Sequence, residues 1–157
     1  MQGNANSTPW LVKLLIFLHA FLGISALIPG AAFIIAPDGH LIQMPLGNIA
    51  NSPFIDFLIP GILLFVFIGV YPSAVAYSLW RRPSWHWPDI LNPFKQLHWS
   101  WAGSLSAGLI LLIWIISEVQ FMEIGFLHIF YFGWGILILL VTLLPGVREY
   151  CGRNPGR

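Results

Sequence analysis

Residues 99–144 read WSWAGSLSAGLILLIWIISEVQFMEIGFLHIFYFGWGILILLVTLL. Two apolar runs, 99–117 and 124–144, flank a short connector that holds the only charged residues of the stretch, Glu118 and Glu123. A helix needs roughly 20 predominantly apolar residues to cross a hydrocarbon core about 30 Å thick, and each run supplies them. So short a connection makes the two helices antiparallel neighbours. The stretch therefore reads as a transmembrane hairpin. Upstream, the runs 11–35 and 54–80 repeat the plan with a longer connector. The four runs together specify an all-α polytopic membrane protein: an up-down four-helix transmembrane bundle, one domain over 1–157.

Composition leads to the same class. Of 157 residues, 57% are hydrophobic and 8% charged, whereas soluble domains carry about 25% charged residues. Too few polar side chains exist to cover a water-soluble surface of this size. The four runs leave only short loops and tails, with no room for a separate soluble domain. Cys151 is the only cysteine, so an internal disulfide is excluded. It flanks the last span, a position compatible with palmitoylation.

Orientation follows from the basic residues. Lys13, Arg81, Arg82, Lys95, Arg148, Arg153 and Arg157 are all seven of the Lys and Arg. Once the four runs are drawn as helices, all of them fall on one side of the bundle. The opposite side carries Asp38, Asp56, Glu118 and Glu123 and no base. Cytoplasmic segments carry the excess of Lys and Arg, so the N and C termini and the 81–98 loop are expected in the cytoplasm. The basic side suits anionic lipid headgroups; its charges are too thinly spread for nucleic acid. Six of the eight Trp, namely Trp10, Trp80, Trp85, Trp87, Trp99 and Trp101, gather on that same side. They are expected as interfacial anchors, with the ring in the acyl boundary and the N–H toward water or headgroups.

Prolines and glycines mark the irregular places. Pro29 is expected to kink the first span near its outer third, and Pro60-Gly61 and Pro72 to bend or locally unwind the second. Ser52 is a capping candidate ahead of Pro53 in the first turn. The 37–53 loop mixes Leu41, Ile42, Met44, Leu46 and Ile49 with turn residues, so it lies on the membrane surface or folds over the helix ends. Gly103, Ser104, Ala107 and Gly108 form a small-residue face that permits close backbone approach, either to the second span or to another subunit.

Ionisable side chains inside a membrane are costly and face protein or a water-filled cavity. His19 is the deepest, roughly 13 Å in from Trp10 at 1.5 Å per residue. It and His128 are the candidate cofactor-binding residues, as axial ligands of a haem or chlorophyll-type pigment. They differ in depth by roughly 10 Å in a core about 30 Å thick, which disfavours a bis-histidine haem within one chain. Asp38, His40, Asp56, Glu118 and Glu123 form a candidate outer polar cluster. Its spacings lack the Glu-x-x-His pattern of di-metal bundles, and no metal site is assigned. Asp56, at an outer helix start, is suited to accept backbone N–H bonds. No Cys-x-x-Cys, phosphate-binding glycine loop, His-Glu-x-x-His or Gly-x-Ser-x-Gly occurs, so no catalytic residue is assigned.

Several short motifs carry a family likeness: Gly23 through Gly30 followed by Pro37-Asp38-Gly39; Ser52-Pro53-Phe54 with Asp56 and Pro60-Gly61; Leu79-Trp80-Arg81-Arg82; and Leu144-Pro145 with Val147-Arg148. In these and in its layout the chain resembles an uncharacterised family of small bacterial integral membrane proteins with four predicted transmembrane helices. The resemblance implies a four-helix bundle in a prokaryotic inner membrane and brings no activity. Three functional expectations follow. The first is a non-catalytic accessory or assembly subunit, with lipids and other membrane subunits or a second copy as partners. The second is a pigment- or haem-associated subunit using His19 or His128. The third is a small oligomeric transporter or channel.

Overall fold

The computed structural model describes residues 8–152. The chain is all-helical, and four of its helices are long and apolar enough to cross a membrane. The first span is α1, Trp10–Ile35. The second, Leu58–Arg81, comprises α2 (Leu58–Leu63), a π-helical segment (Leu64–Val70) and α3 (Tyr71–Arg81). A short helix α4 (His86–Leu91) precedes the third span, α5 (Trp99–Glu118). The fourth span is α6 (Phe126–Leu143), and the chain turns at once into α7 (Pro145–Cys151). The spans pack in chain order around a ring, first on second, second on third and third on fourth, with a looser closure of fourth on first. Lys13, Arg81, Arg82, Lys95 and Arg148 share one end of this ring; Arg153 and Arg157 lie outside the described residues.

The second span passes its prolines without a break. Pro72 has no N–H to give, so an α ladder would leave a carbonyl one turn earlier unpaired. The chain takes up one extra residue per turn just before it, and Tyr71 N–H reaches Val66 O at the end of the wide turn. The expected bend or unwinding is thus replaced by a π-bulge, a known way to relieve a helix at proline. Its wide backbone lies against a glycine face on α1. A Cβ added at Gly30 would stand 2.9 Å from the N, Cα and Cβ of Phe65, and one at Gly23 would run into Ser73 Oγ and lie 2.9 Å from Gly69 O. Only glycine lets the two backbones meet this closely. α1 itself runs through Pro29 as one helix to Ile35.

The small residues of α5 serve two neighbours within the chain. Gly103 faces Val75 of the second span, whereas Gly108 faces Leu139 and Ile138 of α6. At the acidic end the 37–53 loop folds over the helix ends. Phe33 and Phe57 stack with centroids 4.5 Å apart, and Ile49 closes a second small core with them. The loop turns at Gly39, whose φ of 78° and contact with Met44 O leave no place for a side chain. Ser52 caps no helix. It closes a local turn, donating to Ile49 O at 2.8 Å and accepting from Phe54 N–H at 3.2 Å, and the second span starts only at Leu58.

The main core lies toward the basic end. Val12, Leu15, Val75, Leu79, Leu97, Val147 and Cys151 are all buried there. The 82–98 loop and α7 form a cap over this end. His98 N–H donates to Cys151 O at 2.7 Å, and Leu97 bridges Gly152. Asn92 is the hub of the loop. Its amide donates to Phe94 O and Leu97 O, and its carbonyl oxygen accepts from Phe94 N–H at 3.0 Å. A buried amide with this many partners fixes the loop in one shape.

Candidate functional site

Along α1 the buried positions are Val12, Leu15, Leu18, His19, Leu22, Gly23, Ala26, Gly30 and Phe33. This is a helical stripe at three- and four-residue spacing, and His19 sits in its middle with no exposed surface. The matching stripe on α5 carries Ser104, and that on α6 carries Thr142, both fully buried. The three side chains form one line. His19 Nε2 lies 2.7 Å from Ser104 Oγ, Ser104 Oγ 2.7 Å from Thr142 Oγ1, and Thr142 Oγ1 2.7 Å from Ile138 O.

Counting protons gives the line a direction. Its three hydrogen bonds need three hydrogens, and the two hydroxyls supply only two. Ile138 O can only accept, so Thr142 donates to it. Ser104 must then donate to Thr142, and His19 Nε2–H must donate to Ser104. The imidazole is therefore the Nε2–H tautomer, and its Nδ1 carries a bare lone pair. That atom is buried and has no partner among the described residues. A buried acceptor without a donor is rare and destabilising by about 1–3 kcal/mol. It is the one chemically open point of the line.

The same level is tied by aromatic N–H and O–H groups. Trp101 Nε1 donates to Thr142 O at 2.9 Å, and Trp134 Nε1 to Leu18 O at 3.1 Å. On the other flank Ser106 donates to Gly103 O at 3.0 Å, so Tyr71 donates to Ser106 Oγ at 2.6 Å. All four spans are thereby linked by side-chain hydrogen bonds. Ser104 lies only five residues into α5, so His19 stands nearer the basic end than its distance from Trp10 indicates.

The other expected site residues are dispersed. His128 is used at the start of α6, where its Nδ1 accepts the Gly125 N–H at 3.0 Å, and its Nε2 faces Glu118 Oε2 at 4.0 Å. It caps a helix, and both of its nitrogens are directed at protein. Asp38 and His40 pair at 2.6 Å. The His40 side chain, and after it the His40 backbone N–H, hold the Asp38 carboxyl below its ordinary value. Asp56 Oδ1 accepts the Leu58 N–H at 2.9 Å, fixing the start of the second span as expected for a residue at the helix dipole. Glu123 is exposed in the α5–α6 turn. Asp38 is thus paired with His40, Asp56 caps the second span, Glu118 faces His128 and Glu123 lies exposed in the turn. No group of three His, Cys, Asp or Glu among the described residues is placed to hold a metal ion.

The anchors divide in two. Trp10, Trp80, Trp85 and Trp87 are exposed, as interfacial rings should be. Trp99 and Trp101 are buried and belong to the core, which corrects the expectation for these two. The cap formed by Leu97, Val147 and Cys151 covers the first turn of α5 and turns its indoles inward. Trp99 stacks on Trp85 at 5.7 Å, and Trp85 in turn on Tyr77 at 5.8 Å. Cys151 is also fully buried, so its thiol is closed to acylation in this fold. Burial raises the thiol above its ordinary value, against smaller opposing effects of Ser100 and Arg82. Cys151 should therefore resist iodoacetamide at neutral pH in the folded protein and react fully once the protein is unfolded in denaturant. Rapid labelling of the folded chain would show that the cap opens.

No family model, curated protein or solved structure matches this chain. Its functional reading therefore rests on its own residues. Sequence reasoning found His19 but missed Ser104 and Thr142 as its partners. Ser104 stood out only as a small residue, and Thr142 as part of an apolar run.

Proposed function

We propose that this chain is a non-catalytic integral membrane protein acting as an accessory or assembly subunit beside another membrane protein, in a prokaryotic inner membrane with its basic end in the cytoplasm. The observation that carries this reading is the use of the polar groups of the spans. Ser104, Thr142, Tyr71, Ser106, Trp101 and Trp134 are bonded to one another or to carbonyls of the same chain. They make a scaffold. The surfaces of the second and fourth spans point mostly outward, and on the fourth an aromatic group of Phe126, Phe130 and Trp134 continues onto Phe17 and Phe21 of α1. A photo-crosslinking residue at Phe126 or Leu140, both exposed on α6, should give discrete protein adducts in native membranes. The same probe at buried Ile138 should give none. Only lipid adducts at every outward position would defeat the reading.

A second reading is a subunit that ligates a haem or chlorin through the bare Nδ1 of His19, which requires the packing around this buried atom to open. Protein purified from native membranes should show no Soret or chlorin band if the scaffold reading holds. A band that disappears in His19→Leu would establish the second.

A further inference from the structure

The start of α6 is held by a side chain that can change its charge. His128 Nδ1 accepts the Gly125 N–H at 3.0 Å. A backbone N–H can only donate, so Nδ1 carries a lone pair and the neutral ring has its hydrogen on Nε2. That Nε2–H faces Glu118 Oε2, 4.0 Å away across the α5–α6 turn. The gap is too long for a hydrogen bond and short enough for a side-chain rotation to close. We propose that His128 and Glu118 form a proton-operated latch on the α5–α6 hairpin: the neutral imidazole caps α6, and the imidazolium releases Gly125 and pairs with the Glu118 carboxylate.

The two contacts exclude each other by hydrogen count. In the imidazolium both nitrogens carry hydrogen. Nδ1–H would then meet the Gly125 N–H, donor against donor, and the cap bond is lost. The positive ring would also stand in the first turn of a full-length span, where the helix dipole repels a cation. Glu118 offers it an acceptor in a charge-assisted bond. Both side chains are half-buried, so this pair is screened less than a surface pair.

Few other charges bear on the pair. Glu118 is the only ionisable residue of α5, and α1 has none beyond His19 toward this end. Glu123 is exposed in the connecting turn. On the facing loop Asp38 is paired with His40, and Asp56 accepts the Leu58 N–H. No Lys or Arg among the described residues lies at this end, so no fixed cation competes for Glu118.

The first turn of α6 is built to open locally. Phe126, Leu127 and Ile129 are exposed and pack on little. A Cβ built at Gly125 would meet no other element, only His128 Nδ1 at 3.7 Å. The amides of His128 and Ile129 both bond to Gly125 O, at 3.1 and 3.5 Å, so freeing Gly125 loosens them too. Histidine changes charge between about pH 5 and 8. The cap is present where the ring is neutral and is lost as the pH falls.

The test follows the Gly125, His128 and Ile129 amides of the full-length protein in detergent by NMR, from about pH 8 to about pH 5, with exchange corrected for its intrinsic pH dependence. In the wild type the Gly125 amide resonance should move with the same midpoint as the His128 ring. Protection of His128 and Ile129 should fall about fivefold at the acid end, the equivalent of a lost cap. His128→Gln places the usual capping-box acceptor at the same position without a titrating ring, and should stay protected at both pH values. His128→Leu has no acceptor and should be unprotected at both. Glu118→Gln should keep the transition but move its midpoint to lower pH by about 1, because the imidazolium loses its anion. Equal protection of the wild type at both ends of the range, or the wild-type response retained in His128→Gln, would overturn the proposal. The scaffold reading is tested separately, by crosslinking on α6, and stands apart from this result.

Discussion

Gly30→Val should abolish accumulation of the folded protein or lower its stability by about 3 kcal/mol or more, the upper part of the range for overpacking a tight core. The cause is the atom that stands in the way. A Cβ at Gly30 meets the N, Cα and Cβ of Phe65 at 2.9 Å. A long side chain can swing away from such a contact, but a helical backbone cannot. Relief would require the first and second spans to part, losing the packing of Gly23, Leu27 and Gly69 along the same seam. The control is Gly133→Val on α6, where an added Cβ meets nothing within 4 Å. That change should fall within about 0.5 kcal/mol of wild type, as surface substitutions do. Thermal unfolding of both variants in one detergent makes the comparison. Equal Tm values would show that the first two spans are not in close contact at Gly30.

The contrast between these glycines shows where the sequence could be read and where it could not. The spans were legible because each depends on a run of residues, and hydropathy accumulates along a run. Contacts between spans depend on the rotation of each helix about its axis. α1 and α6 are apolar all round, so no polar face gives that rotation away. Gly30 and Gly133 look alike in the sequence, yet one lies under a neighbouring backbone and the other in open space. The π-bulge was half legible. Pro72 announced a missing hydrogen bond, but the choice of a wide turn over a break comes from the glycine face of α1 pressed against it. Trp99 and Trp101 were misplaced for a related reason. Their position in the chain matched an interfacial belt, and only the cap made by Asn92, Leu97 and α7 buries them.

His19 was legible as an ionisable residue deep in an apolar run, and its worth can be measured by a double-mutant cycle. Ser104→Ala should cost about 1–3 kcal/mol, because it leaves the His19 Nε2–H buried without an acceptor and takes a donor away from Thr142. His19→Leu should cost less than about 1.5 kcal/mol. Leucine has nearly the volume of histidine, and the change removes the Nε2–H together with the bare Nδ1, while Ser104 still donates to Thr142. The two changes should not add. Once residue 19 is leucine, Ser104→Ala no longer strands a donor, so the double variant should be more stable than Ser104→Ala alone. Side-chain hydrogen bonds in membrane proteins average only about 0.6 kcal/mol, and a Ser104→Ala effect well above this would mark the cost of an orphaned group over the loss of a single bond. Strict additivity would break the proposed line of hydrogen bonds. A leucine at position 19 that leaves the fold intact would also isolate the question of Nδ1: loss of a biological role in a fully stable His19→Leu protein would assign that role to the imidazole itself.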